Sequence, residues 1–164
     1  MVWNARGGLP KDAYDELTAL VPKPRVLTWG SGDGVLVVGL SGKVALRDTR
    51  GWRITGWHEV DLARWDAESG ILSWSGRTNE RMVLTNPGRL PMLLKDRVEA
   101  SILLSERVRA GTVTVQISAR RDLDRPDAPI LWSAVATDGR TLDRPGVREV
   151  VDRRLAELRV DLDG

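Results

Sequence analysis

His58 is the sole histidine of the 164-residue chain, and the chain has no cysteine. A Ser-His-Asp triad would have to run through this one imidazole. No GxSxG nucleophile elbow accompanies it, and His58 stands between Trp57 and Glu59 at the start of an expected strand. With a single His and no Cys, any metal would fall to carboxylates. Asp122, Asp124 and Asp127 share a charged loop, but the spacing lacks the glycine and terminal glutamate of a calcium loop. Asp66 and Glu68 are paired acids beside two tryptophans, as the paired carboxylates of glycosidases lie beside aromatics. Both fall in a turn, where Asp and Ser accept backbone hydrogen bonds. Gly30-Ser31-Gly32-Asp33-Gly34 has the glycine density of a phosphate loop, yet it lacks the lysine and leads into a strand rather than a helix N-terminus. It reads as a hairpin turn. The expectation is a protein that is not an enzyme, with no catalytic residue, cofactor or metal.

Lys43, Arg47, Arg50 and Arg53 are the basic group of most interest, on or near one strand–turn–strand unit. Clustered, they would receive a phosphate or an anionic headgroup, although Asp48 and neighbouring acids can neutralise them. The chain as a whole is nearly balanced, with 25 basic and 23 acidic residues and a net charge of +2. Its pI of about 9.4 reflects how little titrates between carboxylates and arginines, so no nucleic-acid partner is expected. Phe is absent and Trp occurs seven times, so aromatic packing falls to Trp, which is usually largely buried. Trp3 and Trp57 are expected to be the exposed ones. No apolar run approaches the ~18 residues of a membrane span and no secretory signal opens the chain, so the expected location is the cytoplasm.

Elements that would position these residues follow from periodicity and punctuation. Residues 10 to 21 read as a helix with the stripe Tyr14, Leu17, Leu20 and Val21, begun by Pro10 and stopped by Pro22. Residues 25 to 29 read as a strand. Residues 35 to 40 and 43 to 48 form a hairpin across Ser41-Gly42. One face of this hairpin is apolar through Val35, Val37, Val44 and Leu46. The other carries Leu36, Val38 and Leu40 opposite Lys43, Ala45 and Arg47, a half-apolar face expected to meet a helix or another subunit. A strand over 52 to 57 precedes a second hairpin, 60 to 66 with 71 to 75. Its register places Ala63, Trp65, Leu72 and Trp74 together on the core face. A strand at 81 to 85, a helix from 89 to about 106, strands at 112 to 120 and 130 to 137, and a helix from Asp143 complete the chain. In the last helix Asp143 is the expected N-cap, and Val147, Val150, Val151, Leu155 and Leu158 the buried stripe.

This order implies an α+β fold with a curved antiparallel sheet or partly open barrel. The segments GVLVVGLSGKVALRD and GWRITGWHEVDLARWDAESGILSW, then ERMVLT and RLPMLLKDRVEASILL, resemble bacterial pleckstrin-homology-like (PH-like) domains, and the chain is similar to actinobacterial proteins of that type. In such domains strands in hairpins precede a helix that closes one end of the barrel. The resemblance covers roughly residues 25 to 106, and residues 112 to 158 depart from it as an extra hairpin and helix. It implies residues 1–24 as an N-terminal helix and connector, and residues 25–160 as one PH-like domain with a C-terminal extension. It also implies that anionic headgroups can bind between the first strands. The function expected first is a binding or scaffold module for a protein or peptide, with homo-oligomers a second option. Its motive is an interaction surface at Leu36, Val38 and Leu40. The alternatives are a peripheral membrane contact through Lys43, Arg47, Arg50 and Arg53, and a small enzyme built on His58.

Overall fold

Short turns dictate most of the topology. Asp33-Gly34 and Thr49-Arg50 each separate two strands by two residues, and Gly34 adopts the positive φ of 68° that such a turn requires. The protein was analysed as a computed structural model that describes residues 6–137, 142 and 144–163. Its described elements are helix α1 (Lys11–Leu20), strands β1 (Val26–Gly32), β2 (Val35–Leu40), β3 (Lys43–Asp48) and β4 (Gly51–Gly56), a 3-10 turn at Trp57–Glu59, strands β5 (Val60–Asp66), β6 (Ile71–Gly76) and β7 (Glu80–Val83), helix α2 (Leu90–Ala100), strands β8 (Ile102–Ala110), β9 (Val113–Arg120) and β10 (Leu131–Ala136), and helix α3 (Val147–Asp163). The architecture is α+β. The described strands form three antiparallel sheets, ordered β1-β2-β3-β4, β5-β6-β7 and β10-β9-β8, and do not close into one barrel.

Two compact units emerge: the chain up to Ser101 with Asp122–Asp127, and Ile102–Arg121 with Ala128–Gly164. The N-terminal helix belongs to the first unit's core rather than standing apart from it. In that unit both faces of the four-stranded sheet are covered. Val37, Val44 and Leu46 on one face join Trp57, Leu72, Trp74, Leu90 and Leu94 in the main core. Leu36, Val38 and Leu40 on the other are buried with Leu9, Ala13 and Leu17. Of the two expected covers for Leu36, Val38 and Leu40, a helix or another subunit, a helix is found, so the buried residues offer no interaction surface: the amphipathic α1 lies in that core, and burying its stripe against these residues removes both apolar surfaces from water.

The tryptophan hairpin has the expected register. Ala63 pairs with Trp74, Trp65 with Leu72 and Asp66 with Ile71. Leu72 and Trp74 are buried, while Ala63 and Trp65 pack on the same core from its margin. Trp57 differs from expectation. It is fully buried, and its indole Nε1 donates to the Leu40 carbonyl at 2.8 Å. The 3-10 turn holds it there, with the Gly56 amide donating to Glu59 Oε1 at 3.0 Å. Trp3 and the proposed N-cap Asp143 lie outside the described residues.

The glycine run from Gly30 to Gly34 is mostly strand. β1 continues through Gly32, and only Asp33-Gly34 turns. Its glycines answer a close backbone approach. Ser31 exchanges amide–carbonyl bonds with Asn86 at 2.8 and 2.9 Å. A Cβ on Gly32 would stand 2.0 Å from the Val83 carbonyl oxygen, and one on Gly30 would stand 3.0 Å from that of Pro87. Backbone on both sides cannot rotate away as a side chain can. Gly32→Ala is therefore expected to cost about 1–3 kcal/mol, read as a lower urea midpoint at unchanged slope. A midpoint equal to wild type would show that β1 and the Val83–Asn86 segment do not need this approach.

In the second unit, Val113, Val115, Ile117 and Ala119 all face inward from β9, as their alternation implies. Val113, Val115 and Ile117 pack with Val147, Val151 and Leu158 of α3. The helix expected over 89 to 106 ends at Ala100, and Ile102–Ala110 is a nine-residue strand paired along β9. Its alternation is masked by Glu106, which occupies the inward row with Leu104, Val108 and Ala110. Arg154 of α3 answers that carboxylate through Nε at 2.7 Å and Nη2 at 2.8 Å. This hydrogen-bonded guanidinium holds the Glu106 carboxyl below the usual carboxylate range.

Candidate functional site: the β5–α2 cleft

The four expected anion-binding residues do not form one cluster. Strand register sends Lys43 and Arg47 to the α1 face of the sheet, while Arg53, opposite Leu46, points to the other face. Arg50 occupies the β3–β4 turn. Each cation also has a carboxylate: Lys43 with Asp124 at 3.0 Å, Arg47 with Glu16 at 2.8 Å, and Arg50 with Asp48 at 3.2 Å. Arg47 additionally lies 5.5 Å from the Trp52 ring centroid. Arg53 is the most fully engaged. It donates to both Asp48 oxygens at 3.0 and 2.8 Å and to both Glu80 oxygens at 2.6 and 3.2 Å. The Arg53 guanidinium, helped by the Arg50 backbone amide, holds the Asp48 carboxyl well below the carboxylate range. Asp48 and then Glu80 raise Arg53 in turn. The group is an ion network with its own counter-charges.

Among the described residues, no Ser or Asp is hydrogen-bonded to His58 Nδ1. This atom is buried without a hydrogen-bond partner, and the His58 ring lies against Gly56, where a Cβ would stand 2.4 Å from His58 Cε1. Asp66 serves its turn: Oδ1 accepts the Glu68 amide at 3.0 Å and the Ser69 amide at 3.4 Å. The Ser69 hydroxyl and these amides lower the Asp66 pKa. Asp122 likewise accepts the backbone amides of Asp124 and Arg125. Among the described residues, no group of three or more His, Asp or Glu side chains is placed to hold a metal ion.

A different surface has the makings of a site. β5 ends its sheet and pairs only with β6 among the described strands. On the core-facing side of β5 a cleft of about 340 Å³ opens toward α2. Ala63 and Trp65 from the strand and Pro91, Leu94 and Val98 from the helix make its apolar lining. Arg64, Lys95 and Glu99 rim it. Sequence periodicity accounts for both walls: Leu94 and Val98 are four apart on α2 and face the core side, while Lys95 and Glu99 follow one position later toward solvent.

Over the strand, on the opposite face, a second cleft of about 510 Å³ is lined by Arg64, Asp66, Ile71, Ser73 and Arg81, again with Trp65. Register explains it, since Arg64, Ser73 and Arg81 lie side by side across β5, β6 and β7. Among the described residues, Arg64, Arg81 and Lys95 have no carboxylate within salt-bridge distance. Lys11, Lys43, Arg47, Arg50, Arg53 and Arg77 of the same unit do, whereas Lys23, Arg89, Arg97 and Arg125, away from this strand, share the lack of one. Reasoning from the sequence passed over Arg64, Lys95 and Arg81, because a bare residue type does not reveal whether an acid sits beside it. The available signal was the hairpin register, which fixes Arg64 opposite Ser73 once Trp65 is paired with Leu72. No family model, no curated protein and no solved structure matches the chain.

Proposed function

We propose that the chain is a non-enzymatic, PH-like binding module, and that it engages an extended peptide segment of a protein partner along β5. The carrying observation is the juxtaposition of a sheet-terminal strand with the apolar cleft of Trp65, Leu94 and Val98. A terminal strand offers main-chain hydrogen bonds to an incoming extended chain, and pockets beside it select alternate side chains. The PH-like part of the reading is supported by seven antiparallel strands in hairpins followed by α2, the order the sequence resemblance implies. The lipid alternative at Lys43, Arg47, Arg50 and Arg53 has less to recommend it, since those cations already hold carboxylates.

The test is selection of a displayed library of random 12-residue peptides on the full chain, followed by amide-shift mapping of a selected peptide. Shifts are expected along β5 and α2. Trp65→Ala is expected to weaken binding about 30-fold, the effect of losing a central aromatic anchor. Pro91→Arg, which fills the cleft from the helix side, should weaken it too and guards against a folding defect in the first variant. Selected peptides that bind both variants as tightly as wild type would refute the site.

A further inference from the structure

We infer that the β5 cleft is specific for peptides in which apolar and acidic side chains alternate. This deepens the proposed function and rests on it. A strand added to β5 sends successive side chains to opposite faces of the sheet. One set turns toward Trp65, Leu94 and Val98, which calls for apolar residues. The other set emerges over the face that carries Arg64, with Ser73 and Arg81 beyond it. Arg64 is the immediate cross-strand neighbour of that second set, where opposite charges attract and like charges repel.

Charge complementarity selects acids. On the face that takes the second set, Arg64 and Arg81 carry two positive charges with no carboxylate in salt-bridge distance among the described residues. Two acids also line the clefts: Asp66 and Glu99. Asp66 is hydrogen-bonded to the backbone amides of its turn and keeps its negative charge, so the incoming acid belongs beside Arg64 and away from the Asp66 end of the strand. Glu99 and Lys95 rim the apolar cleft on the other face, so the incoming acids answer Arg64 and Arg81 rather than Lys95. Arg81, two strands from β5 and roughly 10 Å from it, adds to the positive field without needing to touch the peptide.

The same library selection tests this reading. The expected result is enrichment of Asp or Glu at alternate positions around an apolar residue, with binding that weakens as salt rises. Replacing those acids by Asn or Gln in the synthetic peptide should weaken binding several-fold. Arg64→Glu should weaken it about tenfold, while Lys43→Glu, at a cation outside the cleft, should leave it unchanged. Arg64 is exposed, and Arg64→Gln provides a milder version. Selected neutral peptides that still map to β5 and are indifferent to Arg64→Glu would overturn the acidic specificity and leave the proposed function standing. Failure to select any peptide would overturn both. A dimer by light scattering that Arg64→Glu dissolves would place a second copy on the strand edge and overturn the peptide ligand.

Discussion

Trp57→Ala is expected to destabilise the first unit by about 4 kcal/mol, the largest effect of any single truncation considered. The indole is fully buried among Val44, Val60 and Leu72, and its Nε1 satisfies the Leu40 carbonyl at 2.8 Å. Truncation leaves a cavity in a close-packed interior and strands that acceptor. Trp57→Phe separates the two contributions. It keeps most of the volume and loses the donor, so about 1–3 kcal/mol is expected from the unpaired carbonyl. Urea denaturation followed by circular dichroism measures both. A loss below about 1 kcal/mol for Trp57→Ala would mean that the site collapses around the missing ring.

Arg53→Ala should come close behind, at about 3 kcal/mol. The guanidinium bridges Asp48 on β3 and Glu80 at the start of β7, and the Glu80 side chain is only 5% exposed. Removing the cation leaves that carboxylate out of water with only Arg50 at 3.6 Å. Arg53→Met combined with Glu80→Met should recover much of the loss, because well-packed apolar residues can replace a buried pair at little cost. A double variant no more stable than either single one would refute this account. The network also sets an acid limit. Asp48 has a lowered pKa in the folded protein, so the unfolded chain takes up its proton first as pH falls. Its contribution is full above about pH 4 and is lost as pH drops through the lower folded value. Wild type should therefore lose more of its melting temperature between pH 5 and pH 2 than Arg53→Ala does, on the order of a few degrees. Parallel curves would refute the coupling.

The candidate site was half legible before any coordinates. Ala63, Trp65, Leu72 and Trp74 could be assigned to one face because a one-residue slip would have scattered them, and that assignment also determined where Arg64 and Ser73 would point. What stayed hidden was α2's approach to β5, which turns the margin of a core into a cleft. Lys43, Arg47, Arg50 and Arg53 looked like one basic patch because spacing along the chain does not report partners. Glu16 comes from a helix 31 residues away from Arg47, and Glu80 from a strand 27 residues beyond Arg53. The helical spacing that runs to about residue 106 overlaps the first half of β8 for a similar reason. Glu106 broke its alternation, and the Arg154 that permits a charge in that row lies 48 residues later.

By itself the sequence determined what is local: the Asp66–Gly70 turn, the hairpin registers, the alternation of β9, the stripe of α3 and the α+β class. Such features follow from backbone sterics and side-chain periodicity over a few residues. Tertiary structure alone decided what is non-local. It covered Leu36, Val38 and Leu40 with α1 and brought carboxylates to four cations. It also left Arg64, Arg81 and Lys95 without such partners beside an apolar cleft. Burial and electrostatic pairing depend on which distant segments meet, and packing energy summed over the whole core settles that meeting.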